Sequence, residues 1–276
     1  MKIIYTDLDG TLLDHNTYSF AAALPAINQC LMTNIPVIFN TSKTFKEAQY
    51  LQEQLHLKSP FIVENGAAVY IPKTFAREIG IELDACIKTY DCLETTDYII
   101  KVFAKPNTHW QSILADMPHW HSSFKALSKI STDELIKLTG LHQTQAKSAQ
   151  QRQYGEPLFW LGTDSEKQLF IKEIKKHGAV PIQGGRFLHI NGNTDKGQAQ
   201  QWLTALLKSV CSGLIQTIGL GDGMNDIPLL ENSDIAVQIK SPAYDYPPLN
   251  KTTNIIKTKL EGPAGWNHAI LELCTK

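Results

Sequence analysis

The sequence predicts an α/β fold: a parallel β-sheet with helices on both faces, into which an α+β domain is inserted. Short, almost continuous apolar runs alternate with helical patterns, which is typical of parallel strands that are buried on both faces. The middle of the chain instead holds shorter, mixed strand and helix patterns with more polar residues. This change indicates a separate α+β insertion. A chain of 276 residues is long enough to fold both parts.

Four apolar runs are the strand candidates of the sheet, and each is followed by polar or glycine-containing residues. They are KIIYT (2–6), IPVIFN (35–40), PFIVEN (60–65) and LIQTIGL (214–220). Helices are predicted over residues 43–56 and 195–209, where apolar residues recur at helical spacing.

The predicted insertion spans residues 85–189, which leaves residues 1–84 and 190–276 as the α/β core. It contains TDYIIKVFA (96–104), a helical TDELIKLTGLHQTQAKSAQ (132–150), a strand-like PLFWLG (157–162) and the helix SEKQLFIKEIKKHG (165–178), and it ends within FLHIN (187–191). Because these patterns are short and mixed, they favour an α+β domain over further strands of the parallel sheet.

Charge and composition argue against several classes of protein. A net charge of −1 does not suit a nucleic-acid binder that relies on a broad basic face. No apolar run approaches the roughly 20 residues of a membrane-spanning helix. Asp7 and Asp9 interrupt the apolar start of the chain, which predicts a first strand rather than a signal peptide. The five scattered cysteines form no CxxC pair, so we expect reduced thiols in a cytoplasmic protein.

Two segments place pairs of carboxylates after predicted strands. In DLDGT, Asp7 and Asp9 stand two residues apart and therefore point to one face of the strand tip, while Gly10 permits a tight turn. In GLGDGMND (219–226), Asp222 and Asp226 follow another buried strand. Because sites in open α/β sheets form beyond the carboxyl ends of the strands, both pairs are candidates for one site.

Two further segments suit a phosphate group. NTSKT (40–44) offers Thr41, Ser42 and Lys43 before a helix, and NTDKGQA (193–199) places Lys196 at the start of another. Each of the four segments alone is more often a turn, a helix cap or a solvated side chain. All four in this order indicate a catalytic site.

Two other known motifs do not match the sequence. DLDGTLLDHNTY has glycine at position 4 and tyrosine at position 12, where a calcium-binding EF-hand loop needs glycine at 6 and glutamate at 12. A dinucleotide-binding GxGxxG motif that begins at Gly219 would require glycine where Met224 stands.

The set DLDGT, NTSKT, DKG and GLGDGMND resembles the haloacid dehalogenase (HAD) superfamily, in its branch with a large α+β cap of type C2B between the second and third motifs. The resemblance implies a Rossmann-like core and a phosphatase that uses Mg²⁺ and an aspartyl-phosphate intermediate. YLQEQLHL, VENGAAVYIP, QRQYGEPLFW, QGGRFLHI and EGPAGW are in addition similar to segments of the mannosyl-3-phosphoglycerate phosphatases. That similarity implies a small phosphorylated, carboxylate-bearing sugar substrate and a glycosylglycerate product, a compatible solute.

Carried over by position, the resemblance implies a nucleophile at Asp7 and a general acid/base at Asp9. Thr41 would hold the phosphoryl oxygens, and Lys196 would neutralise the aspartyl-phosphate. The implied metal residues are Asp7, Asp9 through its carbonyl oxygen, Asp222, Asn225 and Asp226. Hard oxygen ligands favour Mg²⁺ over zinc, and no cluster of histidines and cysteines with zinc spacing competes.

The expected substrate-binding residues combine cations with hydrogen-bond donors. A guanidinium group suits the carboxylate of a glycerate phosphate ester. The predicted set is Ser42, Lys43, Glu64, Asn65, Arg152, Gln183, Gly184, Arg186 and His189. The alternatives for the cap residues are a solvated surface arginine, a histidine packed in the core and simple turn glycines. For the whole protein they are a broad sugar-phosphate phosphatase, a phosphomutase, and a non-enzymatic phosphate-binding protein.

Overall fold

The computed structural model describes residues 1–183 and 186–274. Its strands are β1 (Lys2–Thr6), β2 (Val37–Asn40), β3 (Phe61–Val63), β4 (Ala68–Pro72), β5 (Leu93–Glu94), β6 (Tyr98–Val102), β7 (Phe124–Ala126), β8 (Glu156–Trp160), β9 (Ile182–Gln183), β10 (Leu188–Ile190), β11 (Gln216–Gly221), β12 (Ile235–Lys240) and β13 (Ile255–Glu261). Its α-helices are α1 (Leu24–Met32), α2 (Phe45–Gln54), α3 (Lys73–Glu78), α4 (Leu83–Tyr90), α5 (Asn107–Ala115), α6 (Thr132–Thr139), α7 (Gln143–Ala149), α8 (Asp164–Lys175), α9 (Lys196–Val210), α10 (Ile227–Glu231) and α11 (Gly262–Cys274).

The chain divides into two compact units. The larger unit comprises Met1–Ser42, Tyr50–Val102 and the chain from Asp195 onward, and the second unit comprises Lys43–Gln49 and Phe103–Thr194. The sequence-based boundaries at 84/85 and 189/190 stay a prediction. The structure's own division differs from them because β5 and β6 extend the sheet of the larger unit.

The larger unit is built on a nine-stranded sheet in the order β13-β12-β11-β1-β2-β3-β4-β6-β5. The strands from β13 to β3 are parallel, and β4, β6 and β5 add antiparallel pairs at one edge. From β1 the chain moves to β2 and β3 in one direction, and it later returns beside β1 at β11 and moves the other way. This reversal is a topological switch point, where ligands bind in α/β sheets.

Helices cover both faces of this sheet, as the sequence predicts. Right-handed crossovers place α1 and α10 on opposite faces, since their connections run in opposite directions along the sheet. Accordingly α11 packs against α1, whereas α9 packs against α10. Burial on both faces explains the continuous apolar runs, because Ile3, Ile4 and Tyr5 of β1 are all fully buried. Among the described helices, none has the length and apolar character needed to cross a membrane.

The second unit contains a four-stranded antiparallel sheet in the order β7-β8-β10-β9. Trp110, Leu158 and Phe170 lie in its core, where the helices α5 and α8 meet the sheet. The predicted helix over 132–150 is instead two helices, α6 and α7. The helix ends there because Gly140, which follows the last residue of α6, takes a left-handed conformation with φ of 76°.

Candidate active site

The predicted catalytic side chains meet at the carboxyl ends of the central parallel strands. Asp7 follows β1, Thr41 follows β2 and Asp222 follows β11. Strand β1 pairs with both β2 and β11, so these three ends lie side by side. Lys196 is the first residue of α9, and its side chain reaches into the same place although it is distant in sequence.

Lys196 bridges two carboxylates in a position closed to solvent. Its Nζ lies 2.6 Å from Asp7 Oδ1 and 2.6 Å from Asp226 Oδ1. The lysine is only 1% exposed and Asp226 is fully buried. Although desolvation opposes its charge, the carboxylates of Asp226 and Asp7 raise the pKa of Lys196 above its ordinary value. The lysine is therefore a fixed cation beside the Asp7 oxygen.

Three carboxylates share this site with that single ammonium group. Oxygens of Asp7, Asp222 and Asp226 all lie within 4.8 Å of one another. Burial, together with the charge of Asp226, raises the pKa of Asp7 well above its usual range. Burial and the charge of Asp226 also raise the pKa of Asp222 to about 6. Three negative charges and one positive charge leave a net charge of −2 when all are ionised, so the donor set fits a hard divalent cation.

The oxygens of Asp226 already have protein partners. Oδ1 accepts a hydrogen bond from Lys196, and Oδ2 accepts from the backbone N–H groups of Asp222 at 3.1 Å and Gly223 at 2.9 Å. Asp222 Oδ1 accepts from the Thr11 hydroxyl at 3.0 Å. Both oxygens of Asp226 thus accept hydrogen bonds from the protein. This geometry favours a role for Asp226 in holding the GLGDGMND loop and Lys196 in place.

The turn after β1 brings the backbone close to Asp222. Gly10 has φ of 75°, and a Cβ at this position would lie 2.5 Å from Asp222 Oδ2. Only glycine allows both the left-handed conformation and this approach. Asp9 lies in the same turn, where it forms an isolated bridge with Leu13. The tight DLDGT turn and the GLGDGMND loop thus form two walls of one site.

The sequence reasoning missed three residues that hold this site together. The Thr11 hydroxyl donates to Asp222 Oδ1 at 3.0 Å, and the Ser241 hydroxyl counteracts the rise in the pKa of Asp222. Asn40, the last residue of β2, donates from Nδ2 to the Lys196 carbonyl oxygen at 2.9 Å. The sequence does contain a signal for Thr11, because this hydroxyl residue is the last residue of the DLDGT motif. Ser241 and Asn40 carried no such local signal.

The other predicted substrate-binding residues lie in both units. Ser42, Glu64 and Asn65 belong to the larger unit, and the last two are buried at the end of β3. Asn225 Nδ2 donates to Asn65 Oδ1 at 3.3 Å. Their contact with a substrate stays a prediction.

In the second unit, several predicted substrate-binding side chains have local partners. Lys43 pairs with Glu47 at 3.6 Å. Gln183 Nε2 donates to the carbonyl oxygen of Phe187 at 3.3 Å, and Arg186 Nη1 donates to that of Leu138. Both Gln183 and Arg186 are exposed to solvent, and their contact with a substrate stays a prediction. Gly184 lies outside the described residues.

Among the predicted residues of the second unit, Arg152 acts electrostatically on His189. His189 lies half-buried on β10, and Arg152 is also half-buried. Desolvation and the positive charge of Arg152 lower the pKa of the His189 imidazole, which therefore stays neutral near pH 7. Near pH 7 the positive charge of this pair is therefore carried by the Arg152 guanidinium group alone. Its contact with a substrate stays a prediction.

We expect His189→Gln to make the protein less sensitive to acid. The pKa of His189 is lower in the folded protein than its unfolded-state value of 6.5. Its contribution to stability is therefore fully present above about pH 6.5 and is lost as the pH falls below that value. Between pH 7 and pH 5 the wild type should lose up to about 2 kcal/mol that the variant keeps. Urea unfolding followed by tryptophan fluorescence measures this difference. Replacing the exposed His15 by glutamine is the control, and equal acid sensitivity of H189Q and wild type would contradict the expectation.

Comparisons with known proteins place this site in a family. Residues 4–244 match the family described as haloacid dehalogenase-like hydrolase. The glucosyl-3-phosphoglycerate/mannosyl-3-phosphoglycerate phosphatase of Methanococcoides burtonii is 36% identical over 276 residues, which cover 99% of this chain and 97% of the relative. The protein of the same name from Persephonella marina is 35% identical, over 97% of this chain and 95% of its own.

Solved structures agree with this fold. A protein from Thermoplasma acidophilum superposes with a TM-score of 0.65 at 16% identity, covering 99% of this chain and 97% of its own. At that identity the likeness speaks for the fold alone. The family match over most of the chain and the two full-length relatives together lead to one conclusion: the chain belongs to the haloacid dehalogenase-like hydrolase family.

Proposed function

We propose that this protein is a Mg²⁺-dependent phosphatase that hydrolyses mannosyl-3-phosphoglycerate or glucosyl-3-phosphoglycerate to the glycosylglycerate and inorganic phosphate. The observation that carries the chemistry is the buried ammonium of Lys196, 2.6 Å from Asp7 Oδ1. This contact supports Asp7 as the nucleophile, because a carboxylate that attacks a phosphate dianion needs a cation at its side. The substrate follows from the names of two relatives, each at least 35% identical over nearly the whole chain.

The residues divide the reaction into two steps. In the first, Asp7 attacks phosphorus, the bond to the leaving oxygen breaks, and Asp9 gives that oxygen its proton. In the second, Asp9 takes a proton from water, which attacks the phosphorus of the aspartyl-phosphate, and Asp7 is released with inorganic phosphate. Thr41 binds the phosphoryl oxygens, and Lys196 offsets their negative charge in both steps.

A metal ion fits beside these residues. The net charge of −2 on the carboxylate and lysine cluster suits a divalent cation, and oxygen donors suit Mg²⁺. We propose that Asp7, Asp222 and the Asp9 carbonyl oxygen hold it, supported by Asn225 and Asp226. When bound, Mg²⁺ supplies the further positive charge that allows a carboxylate to approach a phosphate dianion.

We propose that the arginines of the second unit recognise the substrate carboxylate. Arg152 is half-buried near the neutral His189. Arg186 is exposed, and its Nη1 donates a hydrogen bond to the backbone carbonyl oxygen of Leu138. A guanidinium group forms paired hydrogen bonds with a carboxylate, which a simple hexose phosphate lacks. The glycerate carboxylate is therefore the group that should distinguish the proposed substrates.

The purified protein with Mg²⁺ should show a kcat/KM for the two glycosyl-3-phosphoglycerates at least about 100-fold above that for mannose 6-phosphate or glucose 6-phosphate, because the hexose phosphates lack the carboxylate that a guanidinium group pairs with. Phosphate release measures each rate, and a chelator should abolish it. Equal rates on simple hexose phosphates would reject the proposed specificity and favour a broad phosphatase. Interconversion of hexose phosphates that depends on a bisphosphate would identify a mutase.

A further inference from the structure

The turn that follows β3 has a backbone conformation that few sequences adopt. Glu64, Asn65 and Gly66 have φ of 49°, 59° and 87°, so three consecutive residues lie in the left-handed region. Glu64 and Asn65 are only 2% and 6% exposed. Left-handed conformations of side-chain residues are sparsely populated and persist where the surroundings impose them. A buried run of three at the edge of the proposed active site therefore calls for a structural reason.

This turn contacts three of the four catalytic segments: NTSKT, NTDKGQA and GLGDGMND. The Asn65 N–H donates to the Thr41 carbonyl oxygen at 2.9 Å, which fixes the turn to the end of β2. The Asn65 side chain accepts from Asn225 Nδ2 at 3.3 Å, which links it to the GLGDGMND loop. Gly66 packs on the residue before Lys196: a Cβ at position 66 would lie 2.0 Å from the Asp195 carbonyl oxygen.

The packing at Gly66 bears directly on the lysine. The same added Cβ would lie 3.1 Å from the Lys196 backbone nitrogen. From the other side, Asn40 Nδ2 holds the Lys196 carbonyl oxygen at 2.9 Å. The start of α9 is thus confined between β2 and the turn, and this confinement allows Nζ to hold Asp7 and Asp226 at 2.6 Å each.

We propose that Glu64–Gly66 is a positioning turn for the active site, in which Gly66 sets the backbone of Lys196 and Asn65 sets the side chain of Asn225. The inference rests on the proposed phosphatase function, since it assigns a role in placing that reaction's residues. It gives Asn65 a part different from the substrate contact predicted from the sequence, because its amide oxygen is already engaged by Asn225.

Gly66→Ala tests the first half of the proposal, with Gly80→Ala as the matched control. Gly80 has φ of 83° and lies in the same unit, but a Cβ there would meet no atom within 4 Å. Both variants force alanine into a left-handed conformation, and only G66A displaces the start of α9. We expect kcat of G66A to fall about 100-fold with KM within about threefold of wild type, because small misplacements of catalytic groups carry such costs. G80A should keep both constants.

Asn65→Gly tests the second half and remains informative if G66A fails to fold. Glycine keeps the left-handed freedom and removes only the amide that accepts from Asn225. Calorimetric titration of the metal-free protein should give a Kd for Mg²⁺ about threefold to tenfold higher, as expected for one lost hydrogen bond. Asn225→Ala should raise the Kd at least as much, since Asn225 is itself proposed to support the ion, and adding N65G to N225A should raise the Kd no further. Asn34→Gly, at an exposed asparagine with φ of 52°, is the control.

A kcat of G66A equal to that of G80A, or an unchanged Mg²⁺ affinity of N65G, would overturn the positioning role. Additive effects of N65G and N225A on the Kd would also overturn it, since the two side chains would then act separately. Failure of the proposed function looks different. In that case the wild type hydrolyses neither glycosyl-3-phosphoglycerate, whereas the Mg²⁺ titrations still report whether Asn65 and Asn225 act together.

Discussion

Asp7→Asn should lower kcat for the glycosyl-3-phosphoglycerate by roughly 10⁴-fold or more, because an amide is a poor nucleophile and no acyl-phosphate can form. Acid quenching of the wild type during turnover should trap a protein whose mass has increased by one phosphoryl group. The variant should show no such species. Measuring kcat and the intact mass of the quenched protein tests both expectations in the same sample.

The loss in D7N is expected to be chemical rather than structural. Burial and the charge of Asp226 already raise the pKa of Asp7, so a neutral amide relieves repulsion among the three carboxylates. Lys196 keeps its second partner, Asp226. The free energy of unfolding of the metal-free protein should therefore change by no more than about 1 kcal/mol. Replacing the exposed Asp97 by asparagine is the control for both measurements, and turnover by D7N at the D97N rate would reject Asp7 as the nucleophile.

The sequence was sufficient to predict that the carboxylates of Asp7 and Asp222 lie close together. Asp7 and Asp222 each follow an apolar run that reads as a buried parallel strand, and parallel strands bring their carboxyl ends to one edge. The structure confirms both strands and pairs them directly. The sequence could not show that Asp226 would take Lys196 on one oxygen and two backbone N–H groups on the other. Such partners depend on side-chain geometry across segments that are far apart in the chain.

The limits of pattern reasoning are clearest around residues 96–104 and 132–150. TDYIIKVFA was expected within the insertion, and the strand β6 that it contains pairs with β4 in the large sheet. Alternation and polarity describe the environment of a strand but do not identify its neighbour. The second segment kept a helical pattern through Gly140, where the backbone turns left-handed and a new helix begins. A glycine inside such a pattern is compatible with either outcome until packing decides.

Lys196→Met should destabilise the metal-free protein by about 3–5 kcal/mol at pH 7, the usual consequence of removing one partner from a buried ion pair. The methionine fills a similar volume, so the effect comes mainly from carboxylates that lose their shared cation. The same variant should lose about 10³-fold in kcat, because the preorganised charge beside Asp7 is gone. Urea unfolding and steady-state kinetics measure the two effects.

The pH dependence and the metal dependence of K196M distinguish lost charge from lost packing. Removing the lysine raises the pKa of Asp7 further, and an acid with a raised folded-state pKa destabilises the fold less as the pH falls. The deficit of K196M should therefore shrink between pH 7 and pH 5, and saturating Mg²⁺ should reduce it at pH 7. Lys240→Met is the matched control: Lys240 pairs with Glu261 at 3.1 Å on the surface. That exposed pair should contribute less than about 1 kcal/mol.

A deficit in K196M that stays constant with pH and Mg²⁺ would mean that the lysine stabilises the fold by packing alone. The assignment of Lys196 as the cation shared by Asp7 and Asp226 would then fail, although the geometry places its Nζ 2.6 Å from both. A deficit that Mg²⁺ removes would instead show that ammonium and metal ion neutralise the same carboxylates. It would follow that Asp7 needs a cation at its side in the folded state before any substrate arrives.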